Sequence, residues 1–240
     1  MRLRGVRSQS MNDAPLTRRY SGTACVIGTG PSLTLEQIES ARSKGFTLFG
    51  CNNVYQTVPD LAVLFATNAP WWFHYLETDE KLRDGTFEKW TNNEESAEKY
   101  ARYGLRYIKS RDAPGLSQNP KRLHHGHSSG FCLLNLAYLM GAERIVLLGF
   151  DMKYAPDYDG RERTAGSSPR HYFGEYPSLM RHWPKVSITN GVLHGLIDVY
   201  RRVAEQNLVE IINCTPDSAL DCFPRMNIDD VALGTSRSVA

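Results

Sequence analysis

Cys25-Val26-Ile27-Gly28-Thr29-Gly30-Pro31-Ser32-Leu33 decides how this chain is read. A short apolar, partly β-branched run enters two glycines, then a proline and a serine, and a helix-like pattern follows. Glycines at such a point let the backbone turn tightly and let a ligand approach where a Cβ would stand. Pro31 suits the first turn of a helix, where its missing N–H is no loss. Free N–H groups at a helix start attract phosphate. The stretch predicts a strand, a phosphate-binding turn and a helix, with a ligand-free strand-to-helix turn as the plain alternative. Two stricter motifs do not fit. The dinucleotide fingerprint needs a third small residue where Leu33 stands, and the P-loop needs a closing Gly-Lys-Ser/Thr, which does not follow.

Further strand-like runs lie at 47–51, 61–66, 106–108, 144–148 and 209–213, besides the first at 24–27. Helical patterns fall between them. Leu35, Ile38 and Ala41 form one apolar stripe. Phe131, Leu134, Asn135, Tyr138 and Leu139 form a second, which ends at Gly141, a natural C-cap. Asn190 can cap a third helix with Leu193, Leu196, Ile197, Tyr200 and Val203 on its core face. Strands alternating with helices predict an α/β fold with a mostly parallel, Rossmann-like sheet flanked by helices.

A length of 240 residues fits one domain. The expected layout is a flexible basic tail over 1–22 (Arg2, Arg4, Arg7, Arg18, Arg19), a single α/β domain over 23–225, and a C-terminal tail over 226–240. Residues 70–106, with Trp71, Trp72, Phe73, His74, Tyr75 and Trp90, read as helices packed beside the sheet. The polar stretch from about 152 to 189 reads as a lid, because a structureless loop of that length is usually a binding element. It starts where a strand ends, which is where open α/β sheets bind ligands.

A net charge of +2 gives no argument for nucleic acid as a partner. No apolar run is long enough to span a membrane, and the N-terminal segment lacks the apolar core of a signal peptide. The five cysteines, Cys25, Cys51, Cys132, Cys214 and Cys222, are odd in number and form no CxxC pair. Buried free thiols in a reducing compartment fit best, so the cytoplasm is expected.

Three constellations carry candidate chemistry. The strand ends 28–32, Asn52-Asn53, Asn68 and Gly149-Phe150-Asp151 converge on one edge of a parallel sheet, where Asn both donates and accepts. Turn-forming Asn is the alternative at each position taken singly. His124-His125-Gly126-His127-Ser128-Ser129-Gly130 precedes a helix, with Ser128 or Ser129 as N-cap and hydroxyls available to a phosphate. Zinc is set aside there, since no Cys or carboxylate lies nearby at ligand spacing. The lid segment holds Tyr154, Tyr158, Arg161, Arg163, His171, Tyr172, Glu175 and Tyr176, with His171 and Glu175 of the right type for a general base.

Val26-Ile-Gly-Thr-Gly-Pro-Ser-Leu33, Cys51-Asn52-Asn53, Ser128-Ser129-Gly130 and Val146-Leu-Leu-Gly-Phe-Asp151 together resemble one clan. It comprises the bacterial sialyltransferases that use CMP-sialic acid, the motility-accessory-factor glycosyltransferases and the archaeal hydroxymethylpterin pyrophosphokinases. His171-Tyr172-Phe173-Gly174 is similar to the His-Tyr-x-Gly of the sialyltransferase lid. The resemblance implies a GT-A-like sheet. It also implies a nucleotide site made by Gly28, Thr29, Gly30, Pro31, Ser32, Asn52, Asn53, Asn68, Ser128, Ser129 and Gly130. Gly149 and Asp151 would stand beside base or ribose, and Tyr154, Tyr172 and Tyr176 near phosphate. The sialyltransferases carry their catalytic histidine just after that motif, where this chain has Glu175, so the base is expected at Glu175 or His171.

The function expected is sugar transfer from a nucleotide donor, CMP-linked by resemblance, to an acceptor hydroxyl. No metal is expected for that reaction. The alternatives are an ATP-dependent pyrophosphokinase, with magnesium and Asp151 as a candidate ligand, and a nucleotide-binding protein without catalysis. A homo-oligomer stays open.

Overall fold

The computed structural model describes residues 15–153, 171–174, 176 and 190–233. Seven parallel strands form the sheet: β1 (Thr23–Ile27), β2 (Thr47–Cys51), β3 (Val63–Phe65), β4 (Glu88–Thr91), β5 (Leu105–Tyr107), β8 (Arg144–Leu148) and β9 (Glu210–Asn213). Their spatial order is β5-β4-β3-β2-β1-β8-β9. The order reverses between β1 and β8, so the crevice at their C-terminal ends is the topological switch point where open α/β sheets take ligands. Two further short strands, β6 (Lys109–Arg111) and β7 (Arg122–His124), pair parallel to each other.

Successive side chains of a strand point to opposite faces, and the two cores follow from that alternation. Ala24 and Val26 of β1 face α5 (Ser129–Leu139) and α6 (Asn190–Gln206), with Phe131, Leu134, Ile197, Tyr200 and Val203 in the same core. Cys25 and Ile27 face the opposite layer of α1 (Leu35–Ser43) and α2 (Ala69–Thr78), where Ile38, Ala41, Trp71, Trp72 and Leu76 are buried. Helix α5 is apolar almost all round because the sheet, β7 and α6 cover it from several sides. Its one buried polar side chain, Asn135, accepts from the Ser117 and His124 amides (3.0 and 2.8 Å) and donates to the Ser117 carbonyl (3.1 Å).

Residues 70–106 are not helical throughout. Between α3 (Glu80–Asp84) and α4 (Glu94–Lys99) runs strand β4, and β5 begins inside the same segment. The charged pair Glu88-Lys89 obscures β4. Lys89 is buried and spends its ammonium on the Gly85 carbonyl at 2.8 Å, while Glu88 is held by Arg19 and Trp90.

Described residues from both expected tails pack against the domain. Leu16 bonds to Pro120, the Arg19 and Tyr20 amides bond to Met140, and Tyr20 packs edge-on against Phe49 at 5.3 Å. Ile228 and Val231 are buried, and the Lys44 ammonium binds the Val231 carbonyl at 3.0 Å. Segments 16–20 and 226–231 therefore belong to the body of the domain. Most of the segment expected to form a lid, including Tyr154, Tyr158, Arg161, Arg163 and Glu175, lies outside the described residues.

Candidate active site

The glycine turn is built by contact between two strand ends. Gly28 donates to the Leu148 carbonyl (2.7 Å) and Gly30 to the Gly149 carbonyl (2.8 Å). A Cβ on Gly28 would stand 2.5 Å from the Gly149 oxygen, and one on Gly30 would overlap the Asp151 carboxylate. Gly149 itself has φ +68°, a left-handed conformation that favours glycine. These glycines thus let the turns after β1 and β8 lie against each other.

That packing corrects one expectation. The helix does not start at Pro31 but at Leu35, behind Thr34, whose side chain and Gln37 close a capping box. The amides of Gly28, Gly30, Ser32 and Leu33 all bond within the protein, to Leu148, Gly149, Asp151 and Gly30. The bare helix start expected here for phosphate is absent.

The second turn supplies what the first lacks. Ser128 is the N-cap of α5, its hydroxyl accepting from the Phe131 amide at 3.1 Å. Ser129 and Gly130 precede the first intrahelical donor, so the helix offers their amides no partner. The Ser129 hydroxyl accepts from the Thr67 amide at 3.1 Å, tying α5 to the end of β3. The Phe150 ring lies beside both Gly130 and Gly28, 3.0 and 3.2 Å from where their Cβ atoms would be. One ring therefore bridges the two turns, and the strand ends do converge on one edge.

The asparagines divide by commitment. Asn53 is buried, accepts from the Trp71 indole at 2.8 Å and donates to the Tyr75 hydroxyl at 2.7 Å. Its side chain is spent on holding α2 against the end of β2. Asn52, at φ +49°, bends the chain away from β2 and its side chain is hydrogen-bonded with Tyr176. Asn68 precedes α2 with an exposed side chain that makes no capping bond.

Asp151 carries the electrostatics of the crevice. It is 8% exposed, and burial pushes its carboxyl above the usual carboxylate range, opposed by hydrogen bonding to Ser32. Oδ1 accepts from the Ser32 amide at 3.2 Å, while Oδ2 is buried with no hydrogen-bond partner among the described residues. Its own carbonyl accepts from Ala219 (2.8 Å), and Phe150 is clamped by the Thr215 and Ser218 hydroxyls (2.9 and 2.6 Å). Thr67, Thr215 and Ser218 are supporting residues that no motif announced.

The His171–Gly174 turn returns onto this edge. The Tyr172 amide donates to the Thr29 carbonyl at 3.2 Å, and His171 Nδ1 lies 3.1 Å from Thr29 Oγ1. The Tyr172 hydroxyl donates to the Asn53 carbonyl at 3.1 Å, with Thr57 Oγ1 at 3.2 Å. Burial raises the phenols of Tyr172 and Tyr176, so both remain proton donors at neutral pH. In this arrangement they brace the end of β2, and a phosphate contact requires exchange of those bonds. An open cleft of about 550 Å³ adjoins the edge at the end of β9, lined by Gln37, Thr215, Asp217, Arg225 and Asn227. The crevice over β1 and β2 is instead covered by the aromatic turn.

Beside α5 the three histidines separate. His124 is buried, with Nδ1 3.0 Å from the Gly115 carbonyl, whereas His125 and His127 stand next to Asp112. Burial, then the neighbouring His127, lowers the pKa of His125. The cysteines are not nucleophile candidates, since burial pushes the thiols of Cys51 and Cys132 up to about 12.

No family model matches this chain. No curated protein sequence matches it either. Among solved structures, it is similar to the MAf glycosyltransferase from Magnetospirillum magneticum AMB-1, with a TM-score of 0.62 and 14% identity. The match covers 93% of this chain and 37% of that one, so the chain spans little more than a third of its structural neighbour. This likeness agrees with the Rossmann-like α/β fold seen here. No helix among the described residues is long and apolar enough to cross a membrane.

Proposed function

We propose that this chain is a glycosyltransferase-like enzyme that binds a nucleotide-linked sugar, CMP-linked by preference, in the crevice between β1 and β8. The acceptor is a hydroxyl compound. The observation that carries the reading is the contact of His171 Nδ1 with Thr29 Oγ1 at 3.1 Å, which brings an imidazole to the glycine turn at the switch point. His171, or Glu175 nearby in sequence, takes the acceptor proton. The Ser129 and Gly130 amides, which have no intrahelical partner, and the positive end of α5 receive the phosphate. The named activity of the structural neighbour supports transfer of a glycosyl group.

A thermal-shift panel of CMP, UDP, GDP, ADP and ATP, with and without magnesium, tests the reading, because a ligand of the folded state raises its melting temperature. The expected result is a shift by CMP that chelator does not remove, followed by CMP release from a CMP-linked sugar. Absence of a shift with every nucleotide rejects it. One observation favours a second reading: the unpartnered Asp151 Oδ2 suits a magnesium ligand in ATP-dependent pyrophosphoryl transfer. A shift by ATP that EDTA abolishes selects that alternative.

A further inference from the structure

We propose that Asp112, His125 and His127 form a binding site for a divalent transition-metal ion of the zinc type on the rim of the sheet. One ligand atom from each lies within 4.8 Å of the others, and His127 Nε2 is 3.2 Å from Asp112 Oδ1. Zinc bonds of about 2.1 Å in tetrahedral geometry separate ligand atoms by about 3.4 Å. The His127–Asp112 pair already stands near that spacing, and side-chain rotation brings in the third ligand.

The local fold assembles the trio from distant sequence. Arg111 of β6 pairs in register with His124 of β7, and the His125 amide donates to the Arg111 carbonyl at 3.1 Å. Asp112 and His125 are thus the first residues beyond two paired strand ends. Gly126 (φ +46°) and His127 (φ +57°) then turn the chain back, and a Cβ at Gly126 would overlap the Phe131 ring. A non-glycine residue held in the left-handed region is uncommon and collects at ligand clamps. The His125 and His127 rings meet edge to face at 4.7 Å. Sequence spacing showed only histidines, because the carboxylate comes from the other strand.

Two imidazoles and one carboxylate suit zinc or its neighbours better than magnesium or calcium, which prefer all-oxygen sets. Three protein ligands leave a coordination position for water or an anionic oxygen. Loading costs one hydrogen bond. The His127 amide now donates to His125 Nδ1 at 3.1 Å, and a neutral imidazole has a single lone pair to give. The competing account is a plain His127–Asp112 ion pair on the surface.

Cobalt(II) serves as the optical probe, titrated into the untagged, chelator-stripped 240-residue chain, with zinc as competitor. The expected result is one saturable visible absorption signal per chain that zinc displaces. Asp112→Asn and His127→Asn each weaken binding at least about tenfold, while His194→Ala, on the exposed face of α6, leaves it unchanged. Asn at 127 tolerates the left-handed backbone, so the turn and the circular-dichroism spectrum survive its introduction. A wild type that takes no ion at micromolar concentration, or variants that bind like wild type, overturns the proposal and leaves the ion pair.

Discussion

Gly30 and Asp151 fill adjoining space, so that any Cβ on the glycine would overlap the carboxylate Oδ2. The glycine that looks made for a ligand is used up by contact between two strand-end turns. Substitution there tests packing before it tests binding. Gly30→Ala is expected to destabilise the fold by about 1–3 kcal/mol, the usual cost of overpacking. Urea denaturation measures it, and the cost is expected to shrink in an Asp151→Ala background. A fully additive double variant would separate the two residues.

Asp151 is a buried carboxyl with one unpartnered oxygen, and burial raises its pKa above the ordinary 3.8. A group raised on folding favours the folded state below its ordinary pKa, and that contribution is lost as pH rises through the raised value. Asp151→Asn keeps the acceptor for the Ser32 amide and removes the charge. It is expected to gain stability over wild type as pH rises from 3 to 7, by about 1 kcal/mol at neutrality. If the carboxylate also serves a ligand, nucleotide affinity falls in the same variant. Melting curves across that pH range check the first outcome, and a stability difference that does not change with pH contradicts it.

Glu88 ties the N-terminal strap to the outer strands. It accepts from Arg19 (2.6 Å), the Trp90 indole (2.9 Å) and Arg106 (3.1 Å). Burial alone would raise its pKa, but the Arg19 and Trp90 hydrogen bonds and the arginine charges take it below the ordinary 4.5. A group lowered on folding stabilises above its ordinary pKa and loses that contribution as pH falls through the lowered value. Arg19→Ala is expected to cost about 1 kcal/mol at pH 7 and progressively less as pH falls below 4.5. Paired denaturation of the two proteins at pH 7 and pH 3 reads the difference; an equal cost at both values would assign Arg19 a packing role only.

Where periodicity and turn chemistry agreed, the fold was legible. The apolar strands β1, β2 and β8, the helix ending at Gly141 and the gathering of strand ends at Gly28, Ser129 and Asp151 all follow from local residues. Strands β4, β6 and β7 escaped notice because three or four residues with charges on them carry no period-two signal. Asn53 illustrates the other limit. Its type and position suggested ligand contact, but Trp71 and Tyr75, from a helix further along the chain, satisfy it first. Asp112 was invisible for a related reason, since only the pairing of β6 with β7 places it beside the histidines.

The position of His171 yields the sharpest functional test. Its Nδ1 contacts Thr29 Oγ1, and its ring stacks on Phe173 at 4.9 Å. Imidazole as a residue type has an unperturbed pKa near neutrality, whereas a carboxylate needs burial to reach it. If His171 takes the acceptor proton, His171→Ala is expected to lower kcat by about 10²–10⁴-fold, the usual contribution of a general base. Nucleotide affinity, measured separately by calorimetry, is expected to change by only a few-fold. Glu175→Gln is the parallel arm, since the resemblance puts a catalytic residue there. Lost turnover with intact binding in one variant identifies the base. Full turnover in both variants removes the His-Tyr turn from the chemistry and leaves it the task of covering the crevice.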